Sequence, residues 1–264
     1  MNPMVRKELN LRMRERRGWI LPSLYLMILA AVVTLAYYLS ALDGRQVQGS
    51  QVGIAMSLTA AYAQMGILLL LAPIFSAGAL TIEKEQRTMA GLLTSLLSPF
   101  QIWWGKFAAS LLFVMLLIVS GLLLLRVSFA FGGIGPWEVV TAIITTLITL
   151  GSLSAIGIYW SSVFRRSVHA TAVTYATIIA LTVVTFIIFG IYTAAHHSGD
   201  SWQDFAWYIK GPLYLNPVFF LTMSFAPAQQ LYPEWIRCLG VFVSLGLLAM
   251  GMSLWNLRRS GEVV

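Results

Sequence analysis

EKEQRTMAGLLTSLLSP, residues 83–99, interrupts an otherwise apolar chain. It packs four charged side chains, Glu83, Lys84, Glu85 and Arg87, into five residues. Met89, Leu92, Leu93, Leu96 and Leu97 follow at i, i+3, i+4, i+7 and i+8, which puts all five on one side of a helix. Gln86, Ala90, Gly91, Thr94, Ser95 and Ser98 take the other side. Glu83 and Glu85 stand at the expected start, where the helix dipole favours anions, and Pro99 opposes continuation. The stretch reads as an amphipathic helix over 82–99 lying along a membrane surface. On these residues alone, a helix that merely anchors a loop fits equally well.

The surroundings say which surface. Of 264 residues, 58% are hydrophobic and only 10% charged, against about 25% charged in a soluble domain. Too little polar surface remains to cover a soluble globule, so the class is integral membrane protein. Charge-free runs of about 20 or more residues suit helices that cross the hydrocarbon. Six such spans are expected, at 19–42, 53–81, 103–131, 138–163, 168–195 and 236–257. They must be helices, because lipid offers no partner to an open strand edge, and the runs lack the alternation of barrel strands. The fold class is therefore all-α, a single transmembrane domain over 1–264. The first run is long enough to stay in the bilayer, so no cleavable leader is expected.

Lysine and arginine orient the spans. Thirteen of the seventeen fall on one side: six before the first span, then Lys84, Arg87 and Lys106, then Arg165 and Arg166, then Arg258 and Arg259. Arg45, Lys210 and Arg237 fall on the other. Loops rich in these residues stay in the cytosol, which places both termini there. Arg126 lies about 30 Å of helix beyond Lys106, at the outer surface, where it can snorkel. The net charge of +7 thus serves topology and does not call for nucleic acid.

Outside the spans, residues 1–18 read as an interfacial helix, with Val5, Leu9 and Met13 on lipid and basic residues around them. A disordered basic tail is the alternative. Residues 196–235 read as two short outer helices, and the apolar part between Asn216 and Pro227 is too short to cross, so it dips into the bilayer and returns. His196 and His197 have no third ligand placed by the sequence. The lone Cys238 excludes an internal disulfide and reads as a buried, inert thiol.

Residues 83–106 resemble the cytosolic segment of type-two ABC transporter permeases, the family of polysaccharide, drug and lipid exporters. The matching residues are Glu83-Lys84-Glu85, Arg87-Thr88, Leu92-Leu93, Ser98-Pro99 and Gly105-Lys106. Arg87 departs from the pattern, since many members carry glycine there. The resemblance implies that 82–99 is a coupling helix docked into a groove on a cytosolic ATPase. It implies ATPase-coupling roles for Glu83, Lys84, Glu85, Arg87, Thr88, Leu92, Leu93, Ser98 and Pro99, with the charged residues salt-bridging at the docking surface. It further implies ATP and Mg²⁺ on the partner, a second permease chain, identical or related, export as the direction, and a bacterial inner membrane. A path lined by spans one, two and five would draw on Thr34, Tyr38, Gln64, Thr174, Tyr175 and Thr177, although threonines in such helices also serve helix packing.

Other chemistries find no footing in the sequence. There is no GxxxxGK[ST] loop to cradle ATP and no HExxH zinc pair. Apart from Glu138 at the outer edge of the fourth, the spans carry no Asp or Glu, so none lies within the membrane to bind a coupling proton. The chain is expected to be neither an enzyme nor the holder of a cofactor. A membrane scaffold that recruits a cytosolic partner through 82–99 is the competing reading.

Overall fold

The structure, a computed structural model, describes residues 17–42, 49–89, 98–130, 135–195, 207–225 and 228–261, and no strand occurs among them. The elements are α1 (Arg17–Leu42), α2 (Gly49–Ser76), α3 (Thr81–Glu85), α4 (Pro99–Ala130) and α5 (Pro136–Val163). Then come α6 (Ser167–Ile179), a π-helical turn (Ala180–Val184), α7 (Thr185–Ala195), α8 (Trp207–Tyr214), α9 (Pro217–Ser224) and α10 (Ala228–Gly261). Among the described residues, six stretches are long and apolar enough to cross a membrane: α1, α2 with α3, α4, α5, α6 with α7, and α10. The expected surface helix at 1–18 and residues 90–97 of the quoted stretch lie outside the described residues, apart from the start of α1. So do His196 and His197.

The centre of the bundle is α5, which packs against α2, α4, α6, α9 and α10. Its sequence explains the position. Thr141, Thr145, Thr149, Leu153, Gly157 and Ser161 recur every fourth residue and are buried. Small and hydroxyl-bearing residues let neighbouring helices approach closely and offer hydrogen bonds across them. Ser152 Oγ donates to the Phe242 carbonyl of α10 at 2.7 Å, and Trp235 Nε1 of α10 donates to Thr145 Oγ1 at 2.8 Å. Thr145 in turn exchanges a bond with Ser224 of α9 at 2.7 Å. The main apolar core, with Leu29, Met65, Leu68, Phe113, Leu117 and Leu150, lies between α1, α2, α4 and α5.

The short helix α9 is wedged beside the fifth crossing. Asn216 caps it by accepting from the amides of Val218 (2.8 Å) and Phe219 (3.0 Å). The same side chain donates through Nδ2 to the Thr182 carbonyl (2.9 Å) and Thr185 Oγ1 (2.6 Å), at the π turn. Phe220 of α9 stacks on Phe242 of α10, centroids 5.4 Å apart, in a cluster that also buries Cys238.

Two expectations are corrected. The segment 82–99 is not one helix: α3 stops at Glu85, and Arg87 turns left-handed with φ 58°. Pro99 does not close that segment but opens α4, four residues ahead of the expected 103. Ser98 and Gln101 form a reciprocal cap there. Gln101 N donates to Ser98 Oγ at 3.2 Å, and Ser98 N donates to Gln101 Oε1 at 3.0 Å. This is a capping box, and the fixed φ of proline suits the first helical position.

Candidate functional site

The polar chemistry gathers at one end of the bundle, around the four-residue turn Ala77–Leu80 and α3. Helix α2 contains Pro73 and ends at Ser76, where the turn begins; α3 then begins with amides that its own sequence leaves uncapped. Ser161, on α5, supplies the missing acceptor. Its Oγ takes bonds from the Leu80 amide at 2.8 Å and the Thr81 amide at 3.0 Å. Close approach is possible because residue 157 is glycine. A Cβ there would lie 2.2 Å from Ser76 Oγ, 2.9 Å from Ser76 Cβ and 3.3 Å from Ala77 N.

The charged triplet then ties three further elements to α3. Lys84 Nζ donates to the carbonyls of Ser161 (2.9 Å), Ser162 (2.5 Å) and Phe164 (2.9 Å). These lie at the C-terminal end of α5, where free carbonyls and the helix dipole favour a cation. Glu85 Oε1 accepts from the Ser167 amide at 2.6 Å. Ser167 opens α6, whose own cap residue, Arg166, supplies no side-chain bond. Glu83 Oε1 faces Lys106 Nζ of α4 at 3.4 Å, with the lysine side chain only 3% exposed. Asn256 of α10 reaches the same place, donating to Ser162 Oγ at 3.2 Å. Five crossings thus meet at this one clasp.

The end of α3 is a Schellman motif. Thr88 N donates to the Glu83 carbonyl at 3.0 Å and Arg87 N to the Lys84 carbonyl at 3.3 Å. Such a stop requires one left-handed residue, usually glycine; here it is Arg87. Thr88 Oγ1 also bonds the Glu83 carboxylate. Met89 then packs against the cluster of Leu80, Ile102, Trp103 and Leu257. Beyond it the chain runs through 90–97, with Leu92 and Leu93, to the capped start of α4 at Ser98.

The candidate coupling residues therefore divide. Glu83, Lys84, Glu85 and Thr88 make bonds inside the chain, and Glu85 and Thr88 are exposed as well. The Arg87 side chain is exposed, and Ser98 with Pro99 belongs to α4. Ser161, Gly157 and Ser167 are additions that the sequence reading missed. Ser161 and Gly157 lie on the four-residue stripe of α5 and were traceable there; Ser167 takes part through its backbone and leaves no trace in residue type.

The six candidate path residues do not share one surface. Thr34 and Tyr38 are exposed on α1, whereas Gln64 and Thr174 are buried. Gln64 borders a small cavity of about 20 Å³ with Thr146, inside the bundle. Thr174 and Thr177 donate back to Ala170 and Val173 of their own helix at 2.7 and 2.8 Å. Tyr175 donates to the Leu70 carbonyl of α2 at 2.6 Å.

On the opposite end, Glu234 of α10 accepts from Tyr214 at 2.5 Å and from Arg237 at 2.7 Å. Burial first, and then the bond to Glu234, push the Tyr214 hydroxyl above its ordinary pKa.

No curated protein matches the chain. The family model described as ABC-2 family transporter protein matches residues 3–236. The match takes in the clasp apart from Asn256, every crossing up to α7 and the start of α10, and with its six apolar crossings the chain belongs to the ABC-2 family of membrane transporter proteins.

Proposed function

We propose that the chain is the permease subunit of an ATP-driven exporter, coupled to a separate ATPase that binds ATP and Mg²⁺. The observation that carries this reading is the clasp. Residues 90–97 connect Met89, just past the Schellman stop of α3, to the capping box of α4. A load applied to that segment enters α4 directly and through Glu83, and enters α5 and α6 through Lys84 and Glu85. A device that turns nucleotide closure into helix motion needs such a junction. Leu92 and Leu93 form the grip, while the charged triplet transmits force within the permease. The basic end faces the cytosol of a bacterial inner membrane, both termini lie there, and a second permease chain completes the path.

The test is co-purification with any P-loop ATPase encoded by a neighbouring gene, followed by ATP hydrolysis and transport assays in liposomes. The expected result is a stable complex that Leu92→Ala with Leu93→Ala weakens. Lys84→Met should leave the complex intact while transport per ATP falls. If no ATPase copurifies and both substitutions are silent in cells, the chain is instead a scaffold.

A further inference from the structure

An apolar groove runs down the outside of the bundle between α4, α5 and α10, with a volume of about 420 Å³. Trp103, Trp104 and Phe107 line it near the clasp, and Met115 marks its far end along α4. Its floor is made of small residues, among them Gly151 and Gly246. At Gly151 nothing in the packing demands glycine. A Cβ there would meet only Leu111 Cδ1 at 3.6 Å and Phe107 Cζ at 4.0 Å, ordinary contacts. The rim is open: Trp104 is 45% exposed, Met115 44% and Leu247 63%. In a membrane-spanning chain, that opening faces hydrocarbon.

The dimensions match one leaflet. From Trp103 to Met115 the groove follows α4 for about 18 Å, a little over half of the roughly 30 Å hydrocarbon core. The charge pattern completes the fit. Gly246, Met250, Leu254 and Arg258 follow one another every fourth residue, so they lie along one stripe of α10. Arg258 is exposed and stands about 12 Å beyond Met250, at the mouth of the groove on the basic end. Its neighbour Arg259 is turned over the Trp255 ring at 5.7 Å.

We propose that this groove is a binding site for an anionic phospholipid of the leaflet at the basic end. One acyl chain lies on Gly151 and Gly246, against Trp103 and Phe107, and the phosphate pairs with Arg258. The site is independent of the ATP-coupling reading and rests only on the chain crossing a membrane.

Native mass spectrometry of the purified, delipidated full chain tests it, with phosphatidylglycerol and phosphatidylcholine of identical acyl chains as probes. The wild type should retain one phosphatidylglycerol in preference to phosphatidylcholine by about fivefold, the contribution of one arginine near an anionic headgroup. Arg258→Gln should abolish that preference while phosphatidylcholine is retained as before. Gly151→Leu, which fills the floor, should reduce retention of both. Equal retention of the two lipids by the wild type would overturn the proposal. So would a Gly151→Leu chain that keeps its lipid. A cross-link between two copies through Leu247→Cys in native membranes would assign the groove to protein and also overturn it. If Gly151→Leu fails to fold, exposed Arg258→Gln still decides.

Discussion

Replacing Lys84 with methionine isolates the ammonium group of the clasp from its stem. Methionine keeps an unbranched apolar side chain against the bundle, so the packing loss is small. What disappears is a charged donor to three carbonyls at 2.5–2.9 Å. A hydrogen bond to a charged group contributes about 1.5–3 kcal/mol, so three of them set an upper bound well above the net effect. Two effects reduce it. The ammonium is half-buried and pays desolvation in the wild type, and water can reach part of the uncapped α5 terminus in the variant. The expected net loss is about 2–4 kcal/mol. For a chain of this size each kcal/mol lowers Tm by about 2–4 °C, so the detergent-solubilised variant should melt roughly 5–12 °C below the wild type. Lys84→Arg should recover part of the loss, because a planar fork can address only some of three converging carbonyls. Intrinsic tryptophan fluorescence on heating provides the assay. A Lys84→Met protein that melts within about 1 °C of the wild type would show that the three bonds contribute nothing net, and the clasp would lose its central fastening.

Other perturbations probe neighbouring parts of the same design. Arg87→Gly should raise stability by about 0.5–1 kcal/mol, since glycine takes the left-handed backbone without the Cβ penalty, while Arg87→Val should lower it; denaturation midpoints decide. Gly157→Ala should cost about 1–3 kcal/mol through overpacking on Ser76, and adding Ser76→Gly should restore most of it, a coupling that a double-mutant thermal melt measures. Asn216→Ala should cost about 2 kcal/mol by removing the cap of α9 together with the bonds to Thr182 and Thr185. Asn216→Ser should recover the cap but not the bonds to the fifth crossing, which faster labelling of a cysteine placed at Thr222 would report.

Charge punctuation made the six crossings legible, because an unpaired charge in hydrocarbon is costly enough to clear whole helices of charge. The start of α4 was legible too: Ser98, Pro99 and Gln101 spell a capping box before an apolar run. Read as the tail of the preceding segment, Pro99 was given the opposite role. The end of α3 was hidden by composition. A Schellman stop is recognised by its glycine, and Arg87 occupies that place, so Glu83 and Glu85 looked like the beginning of a helix when they sit near the end of one. The clasp itself was out of reach for a more general reason. Lys84 and Glu85 bind backbone groups of residues about 80 positions away, and a backbone carbonyl or amide has no letter in the sequence. Ser161 differs, since a hydroxyl on the buried stripe of α5 must find partners, and that demand alone marks it for scrutiny.

The π turn at Ala180–Val184 has a consequence for how the fifth crossing tolerates change in length. A turn of that kind accommodates one residue more than an α-helical turn does. Deleting a single position within it can be absorbed by tightening to ordinary winding, so that α6 and α7 keep their present facing. A deletion anywhere else along the same rod would swing everything beyond it by about 100°. The crossing therefore contains a built-in slack link, and Asn216 is the pin that holds it open.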